Sequence, residues 1–103
     1  MPKTIYTSEA RQDFRDIFRY IARDRKRPSV AAKNIREIKA KCKQYAEAFA
    51  KGSEIGTARP ELGHGCRTFT EKRWVIIFRD VDDEIEVLRI VDGGRDYSKL
   101  FGS

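Results

Sequence analysis

An α+β fold is predicted for this chain: a short N-terminal strand, a two-helix antiparallel hairpin, and a small antiparallel sheet, in the order β-α-α-β-β-β. Three observations predict it. Apolar residues recur twice at helical spacing in the first half. A Gly- and Pro-containing stretch from Ser53 to Gly65 then breaks that period, and the last third reads as short β-branched and aromatic runs. With 103 residues, 1–103 form one compact domain, large enough to bury roughly two-thirds of the surface its unfolded chain exposes.

Lys3 to Tyr6 reads as the short extended piece. Thr7 or Ser8 is placed to cap a first helix, with Glu9 and Asp13 near its positive end. Phe14, Ile17, Phe18 and Ile21 fall at i, i+3, i+4 and i+7 and form an apolar stripe, while Arg11, Arg15, Arg19 and Arg23 turn elsewhere. The charged connector Arg23-Asp24-Arg25-Lys26-Arg27 ends at Pro28, which suits a first helical turn. A second helix is expected over Ser29 to Lys51, stopped at Gly52. Its apolar positions Ala31, Ile35, Ile38, Cys42, Tyr45 and Phe49 match an antiparallel helical pair. The same seam could form a homodimer, but a chain this short needs it for its own core.

The later strands are expected at about Cys66 to Thr70, Arg73 to Asp80 and Ile85 to Asp92. A four-residue loop Val81 to Glu84 would set Asp80 opposite Ile85, Phe78 opposite Val87 and Ile76 opposite Arg89, with Arg79 facing Glu86. That register separates two faces. Val75, Ile77, Leu88 and Ile90 form an aliphatic floor assigned to the helices. Trp74, Ile76, Phe78, Ile85, Val87 and Val91, around Arg89, form a second apolar face. Two helices cover one side of a sheet, so the second face is expected either to receive other segments of this chain or to form a groove for a partly apolar, acidic partner.

Apolar residues make up 40% of the chain and charged residues 37%, which implies a thin core and an ionic surface. The net charge of +6 favours nucleic acid, acidic protein or anionic lipid as a partner. No apolar run has membrane-spanning length and the N-terminus lacks a signal-peptide pattern, so the cytoplasm is the expected compartment. Cys42 and Cys66 lack metal-ligand spacing and are expected as reduced thiols; no metal or cofactor is expected.

No phosphate-binding loop, zinc-protease or nucleophile-elbow motif is present. Ribonuclease chemistry would need a proton acceptor, a proton donor and cations for the phosphorane, and the residues on offer are His64, Arg67, Arg89, Arg95 and Tyr97. His64, the single histidine, reads first as a surface residue, Tyr97 as a packing ring and Asp96 as part of a salt-bridged turn. Arg89, alone in an apolar strand face, reads as a ligand or partner contact ahead of a structural ion pair.

The segments Ile55-Gly56, Arg59-Pro60-Glu61-Leu62-Gly63, Gly65-Cys66-Arg67, Phe69, Trp74 to Arg79, Ile85 to Val91 and Gly93-Gly94-Arg95-Asp96 together resemble the ParE branch of the RelE/ParE toxins of bacterial type II toxin–antitoxin systems. The helices match in length and order, so the resemblance spans nearly the whole chain. Asp92 stands where such chains often carry His before the closing Gly, and no role of that His transfers to it. The resemblance implies a helical hairpin on an antiparallel sheet, neutralised by an acidic antitoxin whose C-terminal segment wraps the apolar surface, in a toxin–antitoxin hetero-oligomer. For the ParE branch it implies DNA gyrase as target, inhibited by binding; Arg59, Arg67, Arg79, Arg89 and Arg95 would be target or antitoxin contacts, and no catalytic residue is expected. The alternatives are a RelE-like ribosome-dependent mRNA endonuclease using His64, Arg67, Arg89 and Tyr97, or an inactive member that only binds antitoxin.

Overall fold

The computed structural model describes residues 3–82 and 84–94. Its elements are β1 (Thr4–Tyr6), α1 (Ser8–Arg19), a π-helical turn (Tyr20–Asp24), α2 (Pro28–Ala50), β2 (Thr57–Ala58), a 3-10 turn (Pro60–Leu62), β3 (Cys66–Glu71), β4 (Trp74–Val81) and β5 (Glu84–Asp92). The five strands form one sheet in the order β1-β5-β4-β3-β2. β1 runs parallel to β5, and the other neighbours are antiparallel. The α+β class and the order of the main elements match the expectation; the two-residue β2 adds an edge strand too short to leave a periodic signal.

Local chemistry explains the helix limits. Thr7 is the N-cap of α1, its Oγ1 accepting from the Ala10 N–H at 3.1 Å. Pro28 opens α2, as expected of a residue that lacks an N–H. At the far end Gly52 has φ +87°. The Ser53 N–H donates to the Ala48 carbonyl at 3.0 Å and the Gly52 N–H to the Phe49 carbonyl at 2.9 Å, the paired bonds of a Schellman stop.

Both helices lie on one face of the sheet. Ala10, Phe14, Ile17 and Ile21 from α1 and Ala31, Ile38, Cys42 and Ala46 from α2 pack over Phe69, Trp74, Ile76, Phe78, Ile85, Val87 and Ile90. Phe18, expected in the α1 stripe, is 42% exposed. It lies beyond the edge of a stripe that Ala10 and Ile21 extend along the axis instead.

The assignment of sheet faces is corrected. Trp74, Ile76, Phe78, Ile85 and Val87, expected to line an antitoxin groove, are the floor beneath the helices, and Ile76, Phe78, Ile85 and Val87 are fully buried. Period-two alternation separates two faces without saying which one is covered. Here the face with the larger side chains takes the helices, where it buries more apolar area. Val75, Ile77, Leu88 and Val91 lie on the opposite side, in a second small cluster with Leu62 and Cys66. Leu62 of the 3-10 turn thus contributes cover to the face that had been given to the helices.

Val91 and Ile90 exchange faces because β5 carries a bulge. Asp80 pairs with Ile85 and Phe78 with Val87, as expected, but Ile77 then faces Arg89, Ile76 faces Ile90 and Val75 faces Val91. Leu88 is the extra residue, and every pair beyond it shifts by one. The β4–β5 pairing also runs on to Val81 and Glu84, closer to the turn than the four-residue loop expected, and Asp82 after Val81 has φ +56°, in the conformation that tight hairpins need.

Candidate functional site

The bulge is held from α1. The Thr7 hydroxyl donates to the Leu88 carbonyl at 2.8 Å while capping the helix, and the Thr7 N–H donates to the Val87 carbonyl at 3.1 Å. Asp13, 8% exposed, accepts from the Ile90 N–H at 2.9 Å and from Arg89 Nε and Nη2 at 2.8 and 3.0 Å. A bulge leaves backbone groups outside the ladder, and these two side chains satisfy them. Arg89 is therefore a structural partner of Asp13, with 28% of its side chain still exposed. Its pKa is raised, first by the hydrogen bonds to Asp13.

Arg67 is likewise turned inward to backbone. Its Nε donates to the Ile55 carbonyl at 2.5 Å and its Nη2 to the Gly56 carbonyl at 3.0 Å. These bonds pin a close approach: Gly56 has φ +71°, and a Cβ there would lie 2.7 Å from the Thr68 carbonyl oxygen. Arg67 also borders an open depression with Phe49, Gly52, Ser53, Glu54, Ile55 and Asp80.

Arg59 and Arg79 are differently placed. The Arg59 N–H donates to the Cys66 carbonyl, Cys66 lies opposite Arg79, and Arg79 lies opposite Glu86. Arg59 and Arg79 thus bracket Cys66 at one end of the sheet face that carries Ile77, Leu88 and Val91. Arg79 Nε reaches Glu86 Oε1 at 2.7 Å, the cross-strand pair expected from the sequence, while half of its side chain stays exposed. Arg59 Nη1 lies 3.4 Å from Glu61 Oε2. Burial raises the Cys66 thiol pKa, and the nearby Arg79 charge opposes that.

His64 sits exposed in the turn between Gly63 and Gly65. Arg95, Asp96 and Tyr97 lie outside the described residues. Asp92 accepts from the Arg73 guanidinium and from the Gly94 N–H. Arg73 also stands over the Trp74 and Tyr20 rings, at 5.2 and 6.0 Å from their centroids, tying the β3–β4 turn to the end of α1.

A sequence profile for the ParE toxin of type II toxin–antitoxin systems, parDE, matches residues 4–97. The chain belongs to the ParE toxin family. Among solved structures, the toxin is similar to a chain of the chromosomal ParDE toxin–antitoxin system from P. aeruginosa, with a TM-score of 0.68 and 26% identity. That match covers 89% of this chain and 96% of the other. No curated protein matches it.

Within this ParE toxin, the described members of the ribonuclease set do not converge through any hydrogen bond: Arg67 serves the Ile55-Gly56 backbone, Arg89 serves Asp13, and His64 lies on an exposed turn. Among the described residues no cluster of three His, Cys, Asp or Glu could hold a metal ion, and no helix is long and apolar enough to cross a membrane. Sequence reasoning missed Thr7 and Asp13 as clamps of the bulge. The one available signal was a carboxylate at a position that shares a helix face with Ala10 and Ile17 rather than with the arginines.

Cys42 and Cys66 are free and buried. Burial pushes the Cys42 thiol up to about 11, and burial followed by contact with Cys42 raises the Tyr6 hydroxyl. A thiol whose folded pKa lies above its unfolded value stabilises the fold fully below the unfolded value and loses that contribution as pH rises through the folded one. Stability is therefore expected to fall between pH 9 and about 11, by up to about 3 kcal/mol from this group. Urea melts across that range should show the loss, and Cys42→Ala should reduce it, leaving the part that the buried Tyr6 hydroxyl contributes above pH 10. An equally steep decline in the variant would remove Cys42 as its cause.

Proposed function

We propose that this ParE toxin acts in the cytoplasm by binding and inhibiting DNA gyrase, and that a cognate acidic antitoxin neutralises it in a toxin–antitoxin complex. Family membership over residues 4–97 carries the reading. The site geometry supports binding over RNA cleavage: Arg67 and Arg89 are committed to intramolecular partners, which leaves phosphorane stabilisation without its two described cations.

Arg59 and Arg79, each half exposed at one end of the outer sheet face, are the better contact residues for an acidic partner. Leu88 and Val91 are the partly buried apolar positions beside them. β1 is an edge strand with Ile5 38% exposed, which suits an antitoxin segment that adds a strand.

The test is negative supercoiling of relaxed plasmid by purified gyrase and ATP, scored for lost supercoiling and accumulated cleaved DNA. Inhibition reversed by a cognate acidic antitoxin is the expected result. Full gyrase activity at excess folded toxin would overturn the reading and move the target to ribosome-bound mRNA.

A further inference from the structure

The outer face of the sheet is buried more deeply than its described neighbours explain. Val75 is 6% exposed and Ile77 is fully buried, with Leu88 and Val91 beside them in the same cluster. Both helices lie on the other face, and an antiparallel sheet covered on one side leaves its second side open to water. In this cluster Leu62 is the one described residue that comes from outside the strands. The 3-10 turn that carries it is fastened at the Cys66 end, where the Cys66 N–H donates to the Gly63 carbonyl at 3.1 Å and the Arg59 N–H to the Cys66 carbonyl at 2.9 Å. Cys66 pairs with Arg79, and Val75 lies four residues from Arg79 along β4, about 13 Å away. Leu62 therefore covers one end of the cluster and leaves the Val75 end to another part of the molecule.

That cover comes from the same chain, because Val75 and Ile77 are buried within a single copy. Gly93 is the next position beside Val75, where a Cβ would lie 3.1 Å from Val75 Cγ2, but a glycine places no side chain there. Met1 and Pro2 precede a strand whose Thr4 pairs with Ile85, about 20 Å along β5 from Val91, and two residues span about 7 Å at most. Asp83 follows Val81 and Asp82 at that same distant end. Residues 95–103 remain. They follow the end of β5, next to Val75 and Val91, and the Gly94 N–H donates to Asp92 Oδ1 at 2.9 Å, a turn that takes the chain out of the strand direction.

We propose that the segment 95–103 docks on the outer sheet face, with Tyr97, Leu100 and Phe101 over Val75, Ile77, Leu88 and Val91. These three residues fall at i, i+3 and i+4, the spacing that one helical turn gathers to one side, with Ser98 and Lys99 left on the other. Three residues from Gly94 reach about 10 Å, enough to bring Tyr97 back over the Val75 end, where Leu62 does not extend. The face is then closed by the chain itself, and a partner that docks through Leu88 and Val91 binds in competition with this segment. The docking is independent of the gyrase reading, because it requires neither target nor antitoxin.

The test is nuclear magnetic resonance of the full chain with its Ile, Leu and Val methyl groups labelled. Nuclear Overhauser contacts from the Val75, Ile77 or Val91 methyls to the ring protons of Tyr97 or Phe101 are the expected result. In a full-chain variant carrying Leu100→Ser and Phe101→Ser, those outer-face methyls should shift and their contacts to position 101 should vanish. The Ile76 and Ile85 methyls, buried beneath the helices, should stay in place and report an intact fold. A mixture of labelled and unlabelled chains separates contacts within one chain from contacts between two. Outer-face methyls that the variant leaves unmoved, no contact to any residue beyond Gly94, or contacts seen only between two chains, which would make a second copy the occupant, would each overturn the proposal.

Discussion

Replacing Asp13 with alanine is expected to cost about 3 kcal/mol of folding stability, an unusually large effect for a charged helix residue. The carboxylate does two things at once: it pairs with the Arg89 guanidinium at two nitrogens and it accepts the Ile90 N–H that the bulge leaves outside the ladder. Alanine removes the pair and strands both the Ile90 N–H and the guanidinium. Arg89 keeps 28% of its side chain exposed, so water recovers part of its loss. The Ile90 N–H, buried beneath α1, has no such recourse. For a domain of this size, the cost corresponds to a Tm drop of roughly 12–20 °C. Urea denaturation of Asp13→Ala, Arg89→Met and the double variant measures it, and the double variant should be more stable than Asp13→Ala because no partly buried cation is left unpaired. A loss below about 1 kcal/mol in Asp13→Ala would show that the bulge does not depend on this clamp. Reduced toxicity in an Arg89 variant would then have to be separated from reduced folding before Arg89 could be assigned to any target.

Truncating Phe78 to alanine is expected to cost about 3–5 kcal/mol, a large part of the roughly 5–15 kcal/mol that holds a domain of this length. Phe78 is fully buried, and its ring lies 5.4 Å from that of Phe69, which stacks on Tyr45 of α2 at 4.1 Å. The deletion opens a cavity in the layer that joins the hairpin to the sheet. It also removes the ring against which the backbone at Gly56 closes. The urea midpoint should fall with little change in the slope m. A variant of wild-type stability that had lost only antitoxin binding would instead restore Phe78 to an open groove. The same reasoning makes Trp74, Ile76, Ile85 and Val87 poor positions for probing a partner interface.

Much of the architecture was readable before any coordinates. The helical period of Phe14, Ile17 and Ile21, the Pro28 start, the Gly52 stop and the three later strands are local features, set by side-chain spacing and by the backbone limits of Pro and Gly. So was the Arg79–Glu86 pair, which lies on the hairpin side of the bulge, where counting back from the turn still holds. The family was readable for a related reason, since its motifs lie in the loop and strand segments around Arg59 to Arg67 and Gly93-Gly94. The basic connector was visible as charge alone.

The candidate site was less legible, because it depends on pairings between residues distant in the chain. Asp13 and Arg89 are 76 positions apart, and nothing in the spacing of either joins them. A helical hairpin, a strand-rich second half, a family and a concentration of charge each follow from neighbours within a few residues, so all four were legible in the chain. Which apolar face lies under the helices, where β5 slips by one residue, and that Arg67 and Arg89 turn inward are set by long-range contacts. A single bulge reverses every side chain beyond it, and an arginine goes to whichever oxygen the folded chain brings within reach.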